Sequence, residues 1–102
     1  MGITGISEMN KLVSDVNALV GNYIDTHVYN LDDWELRGES VGNGSLCTIV
    51  AEGELYHLLN GYRRATRRDV SYEKLDKLAA KYGCYVEQGF AWSWHFYRKD
   101  FA

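Results

Sequence analysis

The residues of this chain that could do chemistry are few, and most are clustered. Arg63, Arg64, Arg67, Arg68, Lys74, Lys77 and Lys81 make up seven of its eleven bases. With Tyr62, Tyr72 and Tyr82 among them, they fit a surface that takes a nucleic acid, with cations on phosphates and rings stacking on bases. They fit also a solvated helix end, where cations suit the helix's negative pole. A third use is pairing within the chain. Residues 1–54 hold nine acids against Lys11 and Arg37, a net charge of -7, while residues 55–102 hold five acids against nine bases, a net charge of +4. Such polarity can steer a charged partner. The overall charge of -3 counts against a dedicated nucleic-acid binder.

The other reactive types carry no motif. His27, His57 and His95 have no metal-ligand spacing, and neither Cys47 nor Cys84 stands in a CxxC pair. Two cysteines 37 apart are expected as free buried thiols of a reducing compartment. The glycines at 38, 42, 44 and 53 are not followed by Lys-Ser/Thr, so they form no phosphate loop. No catalytic residue, metal or cofactor is expected. No stretch approaches the ~18 apolar residues of a membrane span. The N-terminus lacks the basic and apolar regions of a signal peptide. A cytoplasmic protein with no membrane partner is the expectation.

Residues 75–83, LDKLAAKYG, resemble the first helix and turn of a helix-turn-helix, with Ala79 four before Gly83. The recognition helix should follow, but Cys84, Tyr85, Val86 and Gly89 are poor material for it. A winged-helix form survives better, with helices at 54–65 and 71–82 and a hairpin wing at 84–98. It would turn Tyr72, Lys74, Lys77 and Lys81 toward DNA.

The elements that must position these residues follow from periodicity. Ile6, Met9, Leu12, Val13, Val16, Leu19, Val20, Tyr23 and Ile24 form a helical stripe, with Ser7 as N-cap. Residues 27–31 are compatible with a short strand or an irregular exit from that helix. Trp34 and Leu36 alternate as a strand would, and Gly42-Asn43-Gly44 signals a reversal. A hairpin over residues 34–51 is therefore expected, with 46–51 as the central strand. Leu55, Leu58, Leu59 and Tyr62 predict a helix over 54–65. Ser71 and Gly83 bracket another, with a staple between Val70 and Leu75.

Residues 84–87 read as a strand. Gly89 either turns a hairpin or marks a bulge before the aromatic run 90–97. In that run Phe90, Trp92, Trp94 and Phe96 share one face, and Ser93, His95 and Tyr97 the other. The aromatic face is expected as core and the other as outward. If this last strand is a sheet edge, Lys99 and Asp100 guard its end.

The resulting expectation is one α+β domain of 102 residues. Its N-terminal amphipathic helix lies on an antiparallel sheet of about four strands, with two helices between two hairpins. Its function is expected to be non-enzymatic binding of a protein partner, of the inhibitor or adaptor type. The analogy of profile extends to such proteins of phages and mobile elements. The contact residues would be Tyr62, Arg63, Arg64, Arg67, Arg68, His95 and Tyr97. The alternative is a nucleic-acid module using the basic region 63–81.

Overall fold

The computed structural model describes residues 5–99; Asp100, and with it half of the expected strand-end guard, lies outside them. The elements run α1 (Ile6–Val20), β1 (Thr26–Asn30), α2 (Leu31–Leu36), β2 (Cys47–Ala51), α3 (Glu54–Leu59), α4 (Tyr72–Lys81), β3 (Cys84–Gln88) and β4 (Ser93–Arg98). The four strands form one antiparallel sheet in the order β1-β2-β4-β3. The α+β architecture with α1 on the sheet is as the sequence predicts.

One face of the sheet carries the core. Cys47, Ile49 and Ala51 of β2 and Trp94 and Phe96 of β4 point into it. Leu12, Val16 and Val20 of α1, Leu55, Leu58 and Leu59 of α3, and Leu75 and Ala79 of α4 close over them. The stripe of α1 is shorter than its periodicity suggests, since Ile6 and Ile24 are 75% and 78% exposed. Gly5, not Ser7, is its N-cap. Helix α4 is bounded as expected: the Ser71 hydroxyl accepts from the Lys74 N–H at 3.3 Å, and Gly83, at φ 69°, ends it.

The expected hairpin over residues 34–51 is not what forms. The stretch around Trp34 is helix α2, and the hairpin partner of β2 is β1, with Val28 opposite Ile49 and Tyr29 opposite Thr48. Asn30 caps α2 by accepting from the Asp33 N–H at 2.8 Å, and Asp32 and Asp33 sit in its positive first turn. Residues two apart on a helix point about 200° apart. Trp34 is accordingly buried while Leu36 is 84% exposed. The Gly42-Asn43-Gly44 reversal is real, with Ser45 N–H donating to Gly42 O at 3.1 Å, but it lies between α2 and β2.

Helix α2 and the loop after it cover the second face of the sheet. The Trp34 indole donates to Val41 O at 2.9 Å, and its ring lies 5.3 Å from that of His95. Strand β2 is therefore buried on both faces, Thr48 and Val50 included. Residues 89–92 form a tight turn, closed by Gly89 N–H to Ser93 O at 3.0 Å and Ser93 N–H to Phe90 O at 3.1 Å. Phe90 and Trp92 thus belong to the turn and are only half-buried. They stack on each other with centroids 4.6 Å apart and leave the core to Trp94 and Phe96. Strand β4 is no edge, since β2 and β3 pair with it on either side.

Candidate functional site

The arginines sit on a loop held in one shape. Asp69 is its hub: its carboxylate accepts from the Tyr23 hydroxyl at 3.1 Å, the Thr66 N–H at 2.9 Å and the Thr66 hydroxyl at 3.1 Å. The Tyr23 oxygen accepts in turn from the Val70 N–H at 3.0 Å. The Lys74 ammonium donates to the carbonyls of Arg67 and Asp69 at 2.9 and 2.7 Å. The Thr66 N–H foremost, then its hydroxyl, Tyr23 and the nearby Arg63, hold the Asp69 carboxyl below the usual carboxylate range. Arg63 is used internally, 3.6 Å from both Glu54 and Asp69. Arg64, Arg67 and Arg68 are exposed and make no salt bridge among the described residues.

This anchoring redistributes the residues that a winged helix would turn toward DNA. Lys74 is tied to the loop, Lys81 lies 3.4 Å from Asp15, and the Tyr72 hydroxyl accepts from the Trp94 indole and donates to Gln88. The β3–β4 hairpin is built into the sheet and does not project as a wing.

His95 needs a larger correction. It is 0% exposed and cannot touch a partner at the surface. Its Nε2 lies 2.8 Å from the Ser93 hydroxyl and its Nδ1 2.9 Å from that of Thr48, which is 2.9 Å from Ser45. One proton assignment serves the whole chain. Phe90 N–H donates to Ser93, Ser93 to Nε2, Nδ1–H to Thr48, and Thr48 to Ser45. Burial lowers the imidazole pKa to about 4, so the ring is neutral at pH 7.

Gly42, at φ 85°, and Gly89 press their backbones on this ring. A Cβ at Gly42 would collide with His95 Cε1, and one at Gly89 with Val41 and with His95 Nε2. Ser93 and His95 thus have the spacing of a nucleophile and its base. Both ring nitrogens face hydroxyls, not a carboxylate, and Trp34, Val41 and the two glycines pack around the ring. Tyr97, on the same strand, is half-buried and stacks on Tyr85 at 5.5 Å.

A surface that the sequence did not disclose lies around Trp92. A groove of about 350 Å³ is lined by His27 and Tyr29 of β1, Val50 of β2, and Glu52, Arg37 and Trp92. The Arg37 guanidinium stands 5.3 Å from the Tyr29 ring, 5.2 Å from Trp34 and 6.0 Å from Trp92. It donates to the Tyr29 hydroxyl and to Glu39, both at 3.0 Å. A second hollow of about 230 Å³ shares Glu52 and Trp92 and adds Tyr56 and His57. Tyr62, 71% exposed, stacks on Tyr56 at 6.2 Å and meets His57 at 6.3 Å.

The result is one belt of aromatic rings from Tyr29 across Trp92 to Tyr62, where the arginine loop begins. Asn60 fastens this end to the β3–β4 turn by donating to Ala91 O at 2.9 Å. Tyr62 and the arginines are therefore brought together. Tyr97 is not, since it lies toward the other end of β4 from the turn that carries Trp92. The belt escapes local spacing because it joins β1, the turn before β4 and the α3 region, which are far apart in the sequence.

Cys47 and Cys84 are free and buried, and burial pushes both thiols up, away from the reactive thiolate. Among the described residues, no group of three or more His, Cys, Asp or Glu lies together as a metal site. No helix among them is long and apolar enough to cross a membrane. Comparison of the chain with protein-family models, with curated proteins and with solved structures gives no match in any of the three, so function has to be read from the site itself.

Proposed function

We propose that this chain is a small non-enzymatic protein-binding domain of the inhibitor or adaptor type. Its contact surface is the belt of Tyr29, Trp92, Tyr56 and Tyr62 together with Arg64, Arg67 and Arg68. The observation that carries the reading is the continuity of that belt. Tyr, Trp and Arg are the side chains most enriched at interaction hot spots, and here they adjoin on one surface. The sealing of the Ser93–His95 pair supports a role without catalysis. The buried free thiols fit a cytoplasmic setting. The size and the separated charge fit the profile of inhibitors and adaptors of phages and mobile elements, an analogy only.

The test is affinity capture from lysate with the native protein, with Trp92→Ser plus Tyr62→Ser, and with Arg64→Glu plus Arg67→Glu. The expected result is one partner recovered in stoichiometric amount by the native protein. Each double variant should lose it at least ten-fold, while Tyr97→Ser keeps it. Equal recovery by all four proteins would remove the belt from the reading. The second reading, a nucleic-acid module, draws on the exposed Arg64, Arg67 and Arg68 beside Tyr62. It requires duplex binding that weakens with salt at a slope of about -0.9 per phosphate contact.

A further inference from the structure

The groove beside Trp92 has a composition that a flat protein contact does not need. One fixed cation and one acid line the same hollow, Arg37 and Glu52, between two aromatic walls, Tyr29 and Trp92, over the nearly buried Val50. At about 350 Å³ it lies at the small end of ligand cavities, roughly 300–1,000 Å³. Its parts are held before any ligand arrives. The Trp92 ring lies against Phe90 at an interplanar angle of 13°. Arg37 is held by its three neighbouring rings and by hydrogen bonds to Tyr29 and Glu39. Those bonds, one of them a salt bridge to Glu39, use two of the five guanidinium N–H donors. The Val50 floor and the ring walls suit an apolar body.

The charges select among ligands. A simple carboxylate would be drawn to Arg37 but would meet Glu52 in the same space. A simple amine would be drawn to Glu52 but would meet Arg37. A molecule with both charged groups on one carbon satisfies both, and either singly charged analogue meets one like charge in the hollow. We infer that the groove binds a free α-amino acid with an aromatic or branched apolar side chain: carboxylate on Arg37, ammonium on Glu52, side chain between Tyr29 and Trp92. The inference needs only the groove and stands whether or not the belt also contacts a protein.

The experiment is a nuclear magnetic resonance titration of the ¹⁵N-labelled protein with three probes: L-phenylalanine, phenethylamine (carboxylate removed) and 3-phenylpropionate (amine removed). With phenylalanine, the Trp92 indole and Arg37 side-chain signals should shift and saturate, with half-saturation on the order of 1 mM for a ligand this small. Each analogue should bind at least ten-fold more weakly. Arg37→Gln and Glu52→Gln should each weaken phenylalanine by a similar factor while the spectrum stays that of the folded protein. Three results would each overturn the inference. These are no saturable shift with phenylalanine, equal binding of the three probes (adhesion of the ring alone), and unchanged phenylalanine affinity in Glu52→Gln.

Discussion

His95 shows how far a residue's surroundings decide its chemistry. In the sequence it lies on the polar side of an aromatic strand, beside a serine, and reads as a surface contact. In the fold the same serine, a threonine and two glycines enclose it. Its pKa of about 4 lies below its unfolded value of 6.5, so between these two pH values the unfolded chain binds a proton that the folded chain refuses. Stability from this group is therefore complete above pH 6.5 and falls as pH drops toward 4. The full shift corresponds to roughly 3 kcal/mol. Urea unfolding at pH 7.0 and 4.5 should show this decline in the native protein and a shallower one in His95→Gln. Asp15, lowered chiefly by its hydrogen bond from Tyr82, acts in the same direction, but below its ordinary 3.8, so the windows are distinct.

At the scale of elements, α2 is the instructive case. Trp34 and Leu36 fit a strand by alternation, yet Asn30 with Asp32 and Asp33 is a helix start, and the cap outweighs two residues of pattern. The two readings differ in what they require of Leu36. In a strand it would share the buried face of Trp34; in the helix it faces water. Trp34→Ala should cost about 3–5 kcal/mol in urea unfolding, and Leu36→Ala less than about 0.5.

The elements with caps or long stripes were legible from the sequence. These are α1, α4 with Ser71 and Gly83, and the apolar run of β2. What escaped was set by distant partners. Strand β1 is defined by its register on β2, and the burial of Ser93 and His95 by a loop more than 40 residues earlier in the chain. For the same reason Arg63, Arg64, Arg67, Arg68 and Tyr62 could be grouped from sequence. Arg37 and Trp92 could not, being 55 positions apart.

The strand order β1-β2-β4-β3 has a consequence for the molecule as a whole. The two strands before the arginine loop lie side by side, as do the two after it, and among the described residues the seam between β2 and β4 is the only strand pairing that joins them. The loop itself carries four arginines at the surface, which makes it the natural first cut for trypsin. A nick there severs no strand and no helix. The two pieces should stay clasped through four paired positions of β2 and β4 and the shared core beneath them. Limited trypsin digestion followed by size-exclusion chromatography should give both pieces in a single peak at the native volume, with the helical signal retained. Pieces that separate on nicking would show the seam to be weaker than the register implies. If they hold, the chain is a ready-made pair of complementing fragments, each unable to complete a sheet until it finds the other.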